Sequence, residues 1–515
     1  MMERELSLEL PSPPMAIGLN VADVNRKMPF EVARAHQRRR EFEAARRIYA
    51  QVGEQEPFSF EAATQELVCS IEVCDWRRYD HLQRVVHGAA RFGAGWVLGE
   101  TTLSSPYFSA ADQRACAERH ARHILTQTGQ ADFSASEVFV RCAPSEKRLR
   151  IGFLGEDFYG QATSYLMTAV IEAHDRARFE YVAYDMHPSP PNDDARARAM
   201  HAFDRFETAG GMDSRELAAR IEWEEFDILV YIQAPSHRGV EVLARRPAPV
   251  QIAWLYYPGP IGAPLVDALV ADEIVIPREL EHHYPCHVLR LPGCYQPNDH
   301  LRRIPGNASR ADFGIPADAF VLANFSQSYK LTPQVFDVWC SLLRRYPQCV
   351  LWLLGAHDEV PVNLRREARI RGVDPARLHF AKPMASGIHL TRLALCDVVL
   401  DTWPYGGHTL TSDALWAGTP VVTCAGETFA SRVAASLLHD VGLPDLVAYD
   451  AAGYEACAAG LIEAPTRARQ LGTWLAASRD RHALFDSTAY ARKLEALWMQ
   501  VAEGAIPNTF ANIAT

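Results

Sequence analysis

The segment Val398 to Thr423 reads V-V-L-D-T-W-P-Y-G-G-H-T-L-T-S-D-A-L-W-A-G-T-P-V-V-T. An apolar strand ends at Asp401, a Gly406-Gly407 loop follows, a helix starts near Thr411, and Gly418 stops it before the next strand. Glycines let the backbone approach a ligand closely, and the amides and dipole at the start of the helix face whatever sits above the strand. The pattern predicts an anion site that fits a diphosphate. Gly407 would allow the close approach, His408 and Thr409 would donate to phosphate oxygens, and Asp413 would accept from ribose hydroxyls. On these residues alone, Ser412 or Asp413 could equally serve as a helix cap and His408 as a solvated loop residue.

A second loop, A-N-F-S-Q-S-Y-K-L-T-P from Ala323 to Pro333, places Gln327 and Lys330 at a strand exit before a proline-started helix. The chain has only five lysines (Lys27, Lys147, Lys330, Lys382 and Lys493), so Lys330 in such a loop is a candidate for countering the charge on a departing phosphate. A solvated surface lysine is the alternative. In the stretch Lys382 to Arg392, His389 and Arg392 stand three apart, which aims both along one helix face. Nearer the N-terminus, the loop Gly155 to Ser164 (G-E-D-F-Y-G-Q-A-T-S) carries Gln161 and Thr163, and Arg245 to Gly262 ends in a Pro-Gly loop containing Pro258. Neither has dinucleotide-binding G-x-G-x-x-G spacing or a P-loop ending, and the chain has no G-x-S-x-G elbow or H-E-x-x-H pair.

These loops need strands to hold them. From Arg148 onward, short apolar runs alternate with amphipathic helices, the texture of parallel sheets wrapped by helices. Candidate strands are Leu149–Leu154, Tyr181–Tyr184, Ile228–Ile232 and Val250–Trp254, then Phe320–Phe325, Val350–Leu354, Leu378–Ala381, Val398–Asp401 and Pro420–Thr423. They form two α/β units, 148–305 and 306–505, separated by the proline- and glycine-marked stretch Pro292 to Pro316. A ligand belongs beyond the strand ends, in the cleft between the two sheets. Residues 1–130 read as helical, with Ala33, Phe42, Ala45, Ile48 and Tyr49 at helix spacing. Ala33 to Glu56 resembles one degenerate tetratricopeptide hairpin, with no second copy evident at a period of about 34 residues. Ala131 to Lys147 reads as a linker, and Met1 to Pro14 as an acidic, proline-broken tail without an export signal.

The composition fits this organisation. With 515 residues, 48% hydrophobic and 22% charged, the chain is long enough for about three cores, which excludes disorder and collagen-like structure. A net charge of -11 gives no electrostatic footprint for nucleic acid, and no apolar run of about 18 residues predicts membrane insertion. The eleven cysteines include no C-x-x-C pair, which fits reduced thiols and a cytoplasmic location. His282, His283, Cys286 and His287 cluster in sequence but match no standard zinc spacing, so no metal site is expected.

Taken together, ordered blocks from Cys74 to Trp498 resemble the O-linked N-acetylglucosamine transferases, glycosyltransferase family 41. They include C-D-W-x-x-Y-D at Cys74–Asp80, R-L-R-I-G-F at Arg148–Phe153 and R-R-P-A-P-V-Q from Arg245. They continue with L-P-x-C-Y-Q-P-N-D at Leu291–Asp299, N-F-x-Q-x-Y-K, D-A-L-W-A-G-T-P-V-V-T and G-E-T-F-A-S-R-V-A-A-S at Gly426–Ser436. The resemblance implies a GT-B architecture, two Rossmann-like domains facing a cleft. It also implies inverting transfer from a UDP-sugar, chiefly UDP-N-acetylglucosamine, to protein serine or threonine, with neither catalytic metal nor cofactor. Carried over by position, Lys330 and His408 would be catalytic and Gln327, His389, Arg392, Gly407, Thr409 and Asp413 would bind the donor. Gln161, Thr163 and Pro258 would face the sugar and acceptor. Gln161 stands where the family usually has histidine, and an amide cannot act as a general base near neutral pH. Other departures, at Gln233–Gly239, Tyr256, Pro260, Ser386 and Leu410, also fall mainly on the sugar and acceptor side. Two alternatives therefore stand beside the main reading: a different sugar on a dedicated bacterial acceptor, or an inactive nucleotide-sugar-binding scaffold. The family reads acceptors through a long repeat superhelix, so the short helical segment here implies a narrow acceptor set or an acceptor-delivering partner.

Overall fold

Runs such as Ile228–Tyr231 and Cys349–Leu354 are buried along their whole length and cannot show the in-out alternation of a half-exposed strand. They lie inside parallel sheets covered on both faces. The computed structural model describes residues 21–56, 59–93, 97, 99–130, 148–306 and 308–504. The tail read at 1–14 and the linker read at 131–147 lie outside the described residues.

The first sheet contains β1 (Leu149–Gly155), β2 (Phe179–Asp185), β3 (Arg205–Thr208), β4 (Ile228–Tyr231), β5 (Val250–Ala253), β6 (Ala268–Ala271) and β7 (His287–Arg290). Its spatial order is β3-β2-β1-β4-β5-β6-β7, parallel throughout. The second contains β8 (Phe320–Asn324), β9 (Cys349–Leu354), β10 (Leu378–Ala381), β11 (Val398–Leu400), β12 (Val421–Cys424) and β13 (Val447–Ala448), ordered β10-β9-β8-β11-β12-β13. The nine strands read from sequence are all present. The four missed are short or, like β3 and β7, mostly half-buried edge strands with little apolar signal. In each sheet the strand order reverses once, between β1 and β4 and between β8 and β11, and a crevice opens at such a point beyond the strand ends. The loops leaving β1, β8 and β11 are those carrying Gln161, Lys330 and His408. This is the GT-B arrangement.

The helical segment goes further than the sequence reading. Helices Val21–Arg38 and Phe42–Gln55 form the expected hairpin, with Ala33, Ala45 and Tyr49 buried in its core. Helices Phe60–Glu72 and Tyr79–Arg91 then continue the stack, although no sequence self-similarity announces them. The turn between these two helices holds the C-D-W-x-x-Y-D block and docks on the second α/β domain. Trp76 packs on Phe336 at 5.5 Å, Asn363 Nδ2 donates to the Val73 carbonyl at 2.8 Å, and Ser328 Oγ donates to the Glu72 carbonyl at 2.6 Å. Ser328 begins the short 3-10 turn Ser328–Lys330, so the helical segment anchors the turn that presents Lys330.

The last helix, Ser487–Ala502, crosses back to the first domain. Tyr490, Leu494 and Trp498 join the core formed by Ile151 and Phe153, and Glu495 Oε1 accepts from the Asp175 amide at 2.7 Å. A domain boundary drawn by sequence texture groups this helix with the second unit, whereas its apolar face belongs to the first.

Candidate active site

One cavity of about 380 Å³ lies between the two sheets, lined by residues of both domains and by Leu103 of the helical segment. Nine of the eleven candidate residues line it: Gln161, Thr163, Pro258, Gln327, Lys330, His389, His408, Thr409 and Asp413. Gly407 and Arg392 stand behind that lining and shape it.

The floor is built around Asp401, buried at the exit of β11. Its Oδ1 accepts from the Gly407 amide at 2.6 Å and the Thr402 amide at 2.8 Å, and its Oδ2 from Thr423 Oγ1 at 2.7 Å. The Gly406 amide donates to the Ala430 carbonyl at 2.9 Å. The Gly406 and Gly407 amides are thus spent on holding the loop, and the open donors are those of the first turn of helix Thr409–Ala417. His408 caps that helix without a side-chain hydrogen bond, in place of Ser412 or Asp413. Glycine is required at 407 because a Cβ would lie 2.5 Å from Thr411 Oγ1. Gly418, at φ +85°, closes the helix in the left-handed conformation glycine favours.

Lys330 Nζ donates to the Gly406 carbonyl at 2.9 Å and lies 3.7 Å from the centre of the Tyr405 ring. A cation–π contact is worth about 0.5 to 2 kcal/mol. It helps to hold the ammonium in place over the loop that leads to His408. His408 lies beside it with Nε2 buried and unpartnered among the described residues. Burial and the charge of Lys330 push its pKa well below the usual histidine range, so the ring is neutral.

The far end is a polar chain. Arg392 is 3% exposed, stacks 4.1 Å over Phe325, and donates Nη1 to the Lys382 carbonyl and Nε to His389 Nδ1, both at 3.0 Å. It therefore orients His389 from behind and does not itself line the cavity. With Nδ1 accepting, the His389 proton sits on Nε2, 3.5 Å from Asp413 Oδ2. Arg302, from the segment joining the domains, pairs with Asp413 Oδ1. Neighbouring Ser412 accepts from Gln296 Nε2 at 3.2 Å.

Burial lowers the His389 pKa to about 4 from an ordinary value near 6.5. Between these values the unfolded chain binds a proton that the folded one refuses, so stability falls as pH falls through this window. From pH 7 to 5 the loss from this group is on the order of 2 kcal/mol. Denaturant unfolding at both pH values should show a drop smaller by that amount in His389→Gln; an equal drop in both proteins would remove His389 as the source.

Sequence reasoning missed Leu103, Gln296 and Tyr405 as lining residues, because apolar and amide side chains carry no spacing signal. The His282–His287 cluster does not assemble: among the described residues no group of three or more His, Cys, Asp or Glu side chains is placed to hold a metal. No helix is long and apolar enough to cross a membrane among the described residues.

The model of Glycosyl transferase family 41 matches residues 73–306 and 304–494. A probable UDP-N-acetylglucosamine–peptide N-acetylglucosaminyltransferase SEC of Arabidopsis thaliana is 33% identical over 377 residues, 71% of this chain and 38% of that protein. The UDP-N-acetylglucosamine–peptide N-acetylglucosaminyltransferase of Caenorhabditis elegans is 25% identical over 83% of this chain and 48% of its own length. The chain thus spans about two-fifths to a half of these relatives. A lysine-to-methionine mutant of Thermobaculum terrenum O-GlcNAc transferase superposes with a TM-score of 0.64 at 26% identity, covering 95% of this chain and 100% of that one.

Proposed function

Because the chain belongs to glycosyltransferase family 41, we propose that it transfers N-acetylglucosamine from UDP-N-acetylglucosamine to serine or threonine hydroxyls of a protein, with inversion at the sugar carbon. The observation that carries this reading is the convergence of Lys330, His408, Thr409 and Asp413 from two strand-exit segments onto one cavity. Asp413 and His389 would take the nucleoside end, and the first turn of helix Thr409–Ala417 would take the diphosphate. The Lys330 ammonium would neutralise charge on the diphosphate as its bond to the sugar breaks. Gln327, next to the Ser328–Lys330 turn, would bind alongside. Gln161, Thr163 and Pro258 line the opposite wall, where sugar and acceptor would enter. The names of the relatives support the choice of donor and acceptor class.

The test is incubation with UDP-N-acetylglucosamine and a pool of serine- and threonine-containing peptides, read by mass spectrometry. Peptides gaining one N-acetylhexosamine on a hydroxyl residue are expected. A gain of another sugar when mixed UDP-sugars are supplied would replace the donor, and no gain from any of them would defeat the transferase reading.

A further inference from the structure

The geometry points to Asp157 as the general base that takes the proton of the acceptor hydroxyl, an inference that rests on the transferase reading above. Four side chains lining the cavity have proton-accepting atoms of useful basicity: Asp157, Asp413, His389 and His408. Two are committed elsewhere and the third is a poor proton acceptor where it sits. Asp413 is paired with Arg302, His389 has Nδ1 occupied by Arg392 and Nε2 turned to Asp413, and His408 sits beside the Lys330 ammonium, which opposes a second positive charge there. Asp157 lies in the loop leaving β1, in the first domain and across the cleft from Lys330. Among the described residues no arginine or lysine forms an ion pair with it.

Its surroundings suit a base. The Gln233 amide, from the loop leaving β4, is buried beside it with no hydrogen-bond partner of its own among the described residues, and Glu156, His187 and His237 bear on the carboxylate electrostatically. His237 Nδ1 lies 3.4 Å from Glu156 Oε2, and the two act on Asp157 in opposite senses. Burial is the dominant influence and raises the proton affinity of the Asp157 carboxyl above the ordinary aspartate range. In the transfer step, the acceptor oxygen forms its bond to the sugar carbon as the bond from that carbon to the phosphate oxygen breaks. The bonding pair leaves on the diphosphate opposite Lys330, and the hydroxyl proton passes to the Asp157 carboxylate. Asp157 is four residues before Gln161, so the loop would keep a base although its usual histidine position holds an amide.

The test measures UDP release from UDP-N-acetylglucosamine as a function of pH, with water and with the peptide pool as acceptors, for the natural protein, Asp157→Asn and Asp157→Glu. UDP affinity is measured alongside by calorimetry. Asp157→Asn should lower turnover about a hundredfold or more, lose the acid-side limb of the pH profile and bind UDP within twofold of the natural protein. Asp157→Glu should keep that limb with reduced turnover. Turnover within threefold and an unchanged limb in Asp157→Asn would overturn the assignment, as would a parallel loss of UDP binding, which would make the residue part of the donor site. No UDP release by the natural protein under any condition would instead overturn the transferase reading, and this inference with it.

Discussion

Replacing Lys330 by alanine is expected to lower transfer turnover by about a thousandfold while affinity for the intact UDP-sugar donor falls by no more than about tenfold. The asymmetry follows from where the ammonium sits. In the resting site it rests on the Gly406 carbonyl and the Tyr405 ring, with the buried Asp401 carboxylate bearing on it electrostatically. A diphosphate still joined to its sugar carries less charge near Lys330 than one that is leaving, so the lysine stabilises the transition state more than the bound donor. Thermal unfolding should show the variant folded, since its neighbours are anchored independently: Ser328 through Glu72 and the Gly406-Gly407 loop through Asp401 and Ala430. Turnover within tenfold of the natural protein would remove Lys330 from the chemistry.

The second large effect is expected at Asp413. Its carboxylate is engaged by Arg302 and His389 yet lines the cavity. A ribose hydroxyl donating to it would complete its acceptor capacity at little reorganisation cost, and a hydrogen bond to a charged group is worth roughly 1.5 to 3 kcal/mol. Asp413→Ala should therefore weaken UDP by at least about tenfold. It should also destabilise the fold by about 3 kcal/mol, because Arg302 is left buried without its counter-charge. Asp413→Asn separates the two effects, since it keeps the volume and a hydrogen bond while losing the charge. Calorimetry on Asp413→Asn at a temperature where it is fully folded should still show the affinity loss, and unchanged affinity would place the nucleoside elsewhere.

Much of this site was legible because its residues sit where parallel strands end. The Asp401–Gly407 loop, Lys330 before a proline-started helix, and the glycine stop at 418 are local patterns whose physics does not depend on the rest of the fold. What stayed hidden is non-local. Nothing near Asp413 in sequence indicates that Arg302, in the segment between the domains, holds its carboxylate. The family resemblance implies a donor contact for Arg392, and helix spacing places it beside His389, but spacing cannot say which of two neighbours faces the cavity. The acceptors of the Gly406 and Gly407 amides, the Ala430 carbonyl and the Asp401 carboxylate, are chosen by tertiary packing. The crossing of helix Ser487–Ala502 to the first domain escaped for the same reason: its apolar stripe is visible, its partner is not.

The measurement that bears most directly on the central claim is calorimetric titration of the natural protein with UDP, GDP and CMP in parallel, because it needs no acceptor. The site described here predicts selective binding of UDP, weakened in Asp413→Asn. Preference for GDP or CMP, or no binding of any of the three, would contradict a UDP-sugar transferase.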